Sequence, residues 1–410
     1  MEGNGKKVEL LSPAGTMDAL KCAVANGADA VYLAGKNFGA RAFANNFDNE
    51  QLKEAIDYSH SFGVKVYITV NTLIFENEID EVIEFLDFIY ENGADAVIVQ
   101  DIGLASVIKH RYPQLELHAS TQMNVQTLEE AKVLKNMGFS RIVLGREVSL
   151  REIKHIKENL DLELEVFAHG ALCISYSGNC LMSSLIGERS GNRGKCAQPC
   201  RMEYKINGEN KYYLSTKDLC TAYDLSEIIP YVDSLKIEGR MKGSTYVGVV
   251  TNIYKSVING FYNNEKVNIK SKMTDLKITF NRDFTKGFIL NDKNSNITNC
   301  NSQNHLGELV GEVVRLEKNN EVGIRLNNNI SIAINDGLRI VGKKVSDAVI
   351  VNDMYVNHKL VKKAMNGQIV NMKVHKRLAV GDKVYLTKST LVEEKYNVTH
   401  KIKINGKCYL

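Results

Sequence analysis

The stretch "NGADAVYLAG" at residues 26–35 returns almost unchanged as "NGADAVIVQD" at residues 92–101. Each copy reads as the same junction. A glycine ends a helix, Ala-Asp leads onward, and a short apolar run begins a strand. Six further runs of this kind flank the two copies. They are "VELLSPAG" (8–15), "VKVYITV" (64–70), "LELHAST" (115–121), "RIVLGR" (141–146), "ELEVFAHG" (163–170) and "SLKIEGR" (234–240). Rich in Val, Ile and Leu, they suit strands buried on both faces. Helical patterns separate them. "DNEQLKEAIDYSHSFG" (48–63) opens with Asp48 as an N-cap and stops at Gly63. In "NEIDEVIEFLDFIYENG" (77–93), Ile79, Val82, Ile83, Leu86, Ile89 and Tyr90 share one face. "TLEEAKVLKNMG" (127–138) and "SLREIKHIKENL" (149–160) follow the same plan, and Thr127 with Glu130 fits a capping box. Strand–helix alternation implies a parallel sheet, and eight repeats in about 250 residues imply a closed TIM-like (β/α)8 barrel, here over residues 1–268.

The spacing is uneven in one place. About 70 residues separate strands seven and eight, and this insertion holds Cys173, Cys180, Cys196 and Cys200 in a C-x6-C-x15-C-x3-C pattern, the cluster falling in residues 170–202. In a (β/α)8 barrel the loops after the C-terminal strand ends carry the chemistry, so these thiols stand where function is expected. Four thiolates suit an iron–sulfur cluster or a structural zinc, although zinc sites favour closer pairs; four unrelated buried cysteines are the plain alternative. The same loop carries Arg189, Arg193, Lys195 and Arg201 against Glu188. Such a run either binds an anion, RNA phosphate included, or is a solvated basic loop. Other strand ends offer Gln100 and Asp101; His118, Ser120, Thr121, Gln122 and Asn124; Arg146 and Glu147; His169; and Glu238, Arg240 and Lys242. Some of these need only cap helices.

The pattern changes near residue 268. "KITFNRDFTKGFIL" (277–290), "GELVGEVVRLE" (307–317), "EVGIRL" (321–326), "ISIAI" (330–334), "GLRIVG" (337–342), "QIVNMKV" (368–374) and "GDKVYLT" (381–387) are short and turn-bounded. They predict a small all-β barrel over residues 269–410. The 410 residues carry a net charge of +4, which permits a nucleic-acid partner without requiring one. With 8% aromatic residues and no Trp, a base-stacking platform is not evident. No segment reads as a signal peptide or membrane span, which implies a cytoplasmic protein whose cysteines are free or metal-bound. The scattered Cys22, Cys220, Cys300 and Cys408 read as small buried hydrophobes.

"EVFAHGALCISYSGNCLMSS" (165–184) resembles the signature of the collagenase-like peptidase family, E-x-F-x2-G-[SA]-[LIVM]-C-x4-G-x-C-x-[LIVM]-S, at every specified place. "LLSPAG", "HASTQMN", "GNRGKCAQPCR" and "LKIEGRMK" agree with it. "FNRDFTKGF" and "NHLGELVG" resemble it too, with Asp283 where Gly is common and Leu306 where Arg is common. The resemblance implies two activities. One is proteolysis of collagen, for which no HExxH, GxSxG or papain-like segment is found and only a Cys173–His169 dyad is available. The other, closest in motifs, is dioxygen-independent C5-hydroxylation of a pyrimidine in tRNA or rRNA, with prephenate as co-substrate. In that branch Cys173, Cys180, Cys196 and Cys200 fall on the positions that hold a [4Fe–4S] cluster. Under this reading His169 or Glu238 moves protons, and Arg146, Arg240 and Lys242 hold the dicarboxylate. His118, Gln122, Arg193 and Arg201 complete the substrate site, and a paralogous family member is a conceivable partner. A third reading is a non-catalytic RNA-binding protein stabilised by zinc.

Overall fold

The computed structural model describes residues 7–41, 45–291, 296–318, 320–327, 329–342 and 346–397. Cys408 lies outside them. Two compact units emerge. The first contains the chain up to Ile269 together with Asp283–Gln303, and the second contains Lys270–Arg282 and Asn304–Asn397.

The first unit is a closed parallel barrel. Its strands are β1 (Glu9–Pro13), β2 (Ala30–Leu33), β3 (Lys65–Val70), β4 (Ala96–Val99), β5 (Glu116–Ala119), β6 (Arg141–Val143), β7 (Glu163–Ala171) and β8 (Ser234–Ile237). Each pairs with the next, and β8 closes the ring by pairing with both β7 and β1. All eight expected strands are therefore present in the expected order. The repeated "NGADAV" has a physical cause. Gly27 and Gly93 adopt positive φ of 92° and 81°, which ends the preceding helices. Asp29 and Asp95 then accept the Leu10 and Val66 backbone N–H groups at 2.9 and 2.7 Å. Asp233 does the same for Leu164 at 2.8 Å, ahead of β8. Each aspartate thus pins a new strand to its neighbour. The expected caps form as well: Asp48 with Gln51 and Thr127 with Glu130 both make complete capping boxes.

Leu11, Ala30, Tyr32, Tyr67, Ala96 and Ile98 pack together inside the barrel. Beside them runs a buried ionic chain. Arg141 bonds Glu9 at 2.6 Å, Glu163 at 2.7 Å and Glu165 at 3.2 Å, and Lys236 reaches Glu165 at 2.8 Å. Burial disfavours charge on Glu165, but Lys236 and Arg141 outweigh it and hold the carboxyl below its usual range.

The strand expected within residues 277–290 does not form as such. Ile269–Thr279 is helical, and Phe284–Thr285 pairs with Asp218–Cys220 in the first unit's sheet. Ile269, Met273, Leu276 and Phe280 recur at helical, not alternating, intervals. Among the described residues, the second unit's main sheet does not close into a barrel. The sheet is an open antiparallel one ordered Ser346–Ile350, Gly337–Val341, Lys383–Lys388, Glu308–Leu316, Glu321–Leu326, Ile369–Lys373, Tyr355–Val356 and Lys359–Leu360. A separate pair joins Ile332–Ala333 to Lys363–Ala364, and Thr390–Tyr396 is a helix.

Removing Arg141 from the ionic chain would leave Glu9 and Glu163 without their cation and Glu165 with Lys236 alone. Arg141→Met is expected to cost about 3–5 kcal/mol, with part of the loss recovered in Arg141→Met/Glu9→Gln. Urea unfolding of the single and double variants measures both.

Candidate active site at the barrel mouth

Glu238 is the first residue after β8, and its carboxylate is shared by two arginines. Arg146 bonds it at 2.7 Å and Arg41 at 3.2 Å. Gly170 allows this arrangement. It has φ of 107°, and a Cβ there would lie 2.5 Å from the Glu238 carbonyl oxygen. Burial opposes the charge on Glu238, but Arg41, Arg146 and Arg240 outweigh it and hold its carboxyl below the usual range. Arg240 is buried and donates to the Thr69 hydroxyl at 2.9 Å. Burial lowers its pKa to about 10, which leaves it charged at neutral pH. Arg146 stacks on Phe167 at 3.8 Å, and its Nε is buried without a partner. Three guanidinium groups thus surround one carboxylate, a surplus of positive charge that suits an anionic ligand.

The cysteine insertion begins where β7 ends. Gly178 closes it onto the mouth with φ of 77°, since a Cβ there would meet the Gln122 carbonyl oxygen at 2.0 Å. Ser177 fixes the same turn, its N–H donating to Glu147 at 2.5 Å and its hydroxyl accepting from the Arg146 N–H at 3.3 Å. Cys173 and Cys196 are exposed, Cys180 and Cys200 half-buried, and all four are free. A Cβ placed on Gly191 would lie 3.7 Å from Cys196 Cβ and 3.8 Å from the Cys180 carbonyl oxygen, so those two segments adjoin. Burial raises the Cys200 pKa and Arg201 opposes it; charge on Cys173, Cys196 and Cys180 raises it further, which makes all four electrostatic neighbours. The Gln198 N–H donates to Cys196 Sγ at 3.3 Å. Among the described residues, no three His, Cys, Asp or Glu side chains are gathered as a site for a single metal ion. A zinc ion would draw its sulfurs to about 4 Å from one another. Four thiols on one loop, one of them accepting an N–H, are a donor set of the kind that holds zinc or an iron–sulfur cluster.

Arg193 and Arg201, expected to touch substrate, are engaged within the protein. Arg193 forms a two-pronged pair with Glu78, bonds the Leu73 carbonyl at 2.5 Å and lies over Phe75 at 4.7 Å. Arg201 is buried, bonding the Leu172 carbonyl at 3.1 Å, the Ser215 hydroxyl at 3.1 Å and Thr216. Arg193 ties the insertion to the loop after β3, whereas Arg201 ties the cysteine segment to the start of the insertion at Leu172 and to its later Ser215 and Thr216.

His118 is apart from the mouth. It is fully buried in mid-barrel against Tyr67, bonding Glu116 at 3.2 Å. His169 faces outward among Tyr246, Tyr254 and Phe284, with Nδ1 3.3 Å from the Tyr254 hydroxyl. A register shift between Lys236 and Ile237 accompanies this outward turn. Lys242 is half-buried, its ammonium 5.9 Å from the Tyr246 ring centroid. Gln122 does reach the mouth, as does Gln100; the Oε1 of each is buried without a partner, as is Glu147 Oε2. Sequence reasoning missed Arg41, whose one signal was an arginine in the loop after β2.

The profile of peptidase family U32 matches residues 15–299. The chain belongs to peptidase family U32. This U32 chain is 38% identical to an uncharacterized protease of Methanocaldococcus jannaschii, over 94% of its own length and 99% of the relative's. It is 35% identical to the 23S rRNA 5-hydroxycytidine C2501 synthase of Escherichia coli, over 84% of its own length but only 54% of that relative's. It is 37% identical to tRNA hydroxylation protein P1 of Bacillus subtilis, over 62% of its own length and 64% of the relative's. Among the described residues, no helix is long and apolar enough to cross a membrane.

The buried His169 gives this U32 member a pH signature. Burial lowers its pKa to about 4, against about 6.5 when unfolded. The unfolded chain therefore binds the extra proton between those values. The stabilisation is complete above pH 6.5 and is lost as pH falls towards 4, by about 3 kcal/mol. Urea unfolding at pH 7 and pH 4.5 is expected to show a larger loss for the wild type than for His169→Gln.

Proposed function

We propose that this chain is an RNA-modifying hydroxylase that places a hydroxyl on C5 of a pyrimidine in tRNA or rRNA without dioxygen. The carrying observation is the juxtaposition of four neighbouring thiols with a surplus of guanidinium charge at the barrel mouth. The names of the rRNA and tRNA relatives give the same direction. Cys173, Cys180, Cys196 and Cys200 would hold a [4Fe–4S] cluster. Bound there, it would supply redox chemistry and an iron site for an oxygen donor. The Gln198 N–H supports Cys196 by donating to its sulfur.

The chain's own groups account for the rest. Arg41, Arg146 and Arg240 would orient an anionic donor such as prephenate, whose carboxylates match their forks. Glu238, held ionised by those arginines, keeps them aligned and is a poor proton donor at neutral pH. His169 is shielded and neutral at neutral pH, so a proton-shuttling role for it lacks support. Gly178 and Ser177 seat the insertion on the mouth. Tyr176 and Phe75, each 60% exposed on loops of this face, offer stacking surfaces for unpaired bases.

The protease name of the archaeal relative keeps a peptidase in view. The dyad it would need is not formed, because the Nδ1 of His169 faces Tyr254 rather than Cys173.

The test is nucleoside analysis of tRNA and rRNA from a deletion strain. Loss of a 5-hydroxypyrimidine, restored by the wild-type chain and not by Cys196→Ser, is expected. Arg146→Gln is expected to lower the restored level at least tenfold. An unchanged nucleoside profile in the deletion strain would contradict the proposal.

A further inference from the structure

We propose that the exposed sheet edge at residues 355–365 of the second unit is a docking surface for the phosphate backbone of RNA; this rests on the RNA-hydroxylase reading above. The second unit is far more basic than the chain as a whole. Residues 270–282 and 304–397 hold 19 Lys and Arg against 11 Asp and Glu, although the net charge of the whole chain is only +4. The excess is concentrated in one stretch. Residues 354–381 hold Lys359, Lys362, Lys363, Lys373, Lys376 and Arg377 and no Asp or Glu. Lys373 stands opposite Glu321 in the sheet, and the Lys376 ammonium donates to the Ser346 carbonyl at 2.9 Å. Lys359, Lys362 and Lys363 are exposed, and among the described residues no carboxylate pairs with any of them.

The backbone beneath these three lysines is held firmly. Tyr355–Val356 and Lys359–Leu360 pair as a two-residue hairpin, with Val356 opposite Lys359 and Tyr355 opposite Leu360. Its turn residues, Asn357 and His358, both take the positive φ, 50° and 61°, that such a tight turn requires. The Val361 N–H donates to the Met354 carbonyl at 3.0 Å, the Ile334 N–H donates to the Lys362 carbonyl at 3.1 Å, and Lys363 pairs with Ala333. The three ammonium groups therefore spring from a fixed ribbon no more than about 14 Å long, a reach that covers neighbouring phosphates of one strand. Lysines alone on an edge strand serve to keep other sheets from pairing with it. This edge also exposes Leu360 by 62%, Met365 by 59% and Tyr355 by 38%, which edge protection does not explain. Apolar groups exposed among uncompensated cations mark a contact surface, and they suit the ribose and base faces beside a phosphate chain. RNA is the polyanion that the hydroxylase reading already brings to this chain.

The experiment uses the full chain and fluorescence anisotropy with labelled tRNA and rRNA-fragment transcripts at several KCl concentrations. Lys359→Gln/Lys362→Gln/Lys363→Gln is expected to weaken binding at least about tenfold and to reduce the slope of log K against log salt by about 2–3, one step for each lost phosphate contact. The same three positions changed to Arg keep their charge and are expected to retain both affinity and slope, which separates phosphate contact from misfolding. Lys109→Gln/Lys135→Gln/Arg151→Gln removes equal charge from exposed positions on the outer helices of the first unit and is expected to change binding less than about twofold. Unchanged affinity and slope in the hairpin glutamine variant would overturn the docking assignment and leave the hydroxylase reading standing. An equal loss in the outer-helix variant would overturn it too, since net charge rather than this edge would then be responsible. RNA binding that is unchanged in the hairpin variant while binding of labelled polyglutamate is lost would assign the edge to an acidic protein instead. A wild-type chain that binds none of the RNAs would overturn both readings.

Discussion

A single carboxylate among guanidinium groups sets the geometry of this barrel's open end. Glu238 is buried and receives Arg146 from the end of β6 and Arg41 from the loop after β2. Buried arginines without a counter-charge would be costly, and a buried carboxylate equally so. Each therefore fixes the others. The arrangement is possible because Gly170 lets the end of β7 approach the Glu238 backbone more closely than any side chain would permit. Below it, the chain Glu9–Arg141–Glu165–Lys236 carries the same logic through the barrel interior.

The cysteine insertion depends on that frame. Ser177 grips Glu147 and the Arg146 backbone, Gly178 lies on Gln122, Arg193 fastens the insertion to Glu78, and Arg201 joins two parts of the insertion through Thr216. Cys173 and Cys196, though exposed, thereby stand as electrostatic neighbours of Arg41. Hydrogen-bonded neighbours thus fix the loop that carries the thiols.

Much of this was legible in the sequence, and the rest has physical reasons for being hidden. The eight strands showed because both faces of each are buried, which gives continuous apolar runs. The repeated "NGADAV" marked a turn whose aspartate has a fixed structural task. The cysteines stood out through their position after β7. The internal partners of Arg193 and Arg201, Glu78 and Thr216, were hidden because they are brought near only by folding. The burial of His169 depends on a register shift that no residue pattern announces. Closure of the second sheet could not be read either, since alternation shows that strands exist and not whether the outermost two meet.

We propose that the four thiols hold an iron–sulfur cluster at the mouth. Strictly anaerobic purification followed by iron and acid-labile sulfide assays tests it most directly. About four irons and four sulfides per chain are expected, falling sharply in Cys196→Ser. A chain purified in this way without iron or sulfide would contradict the claim.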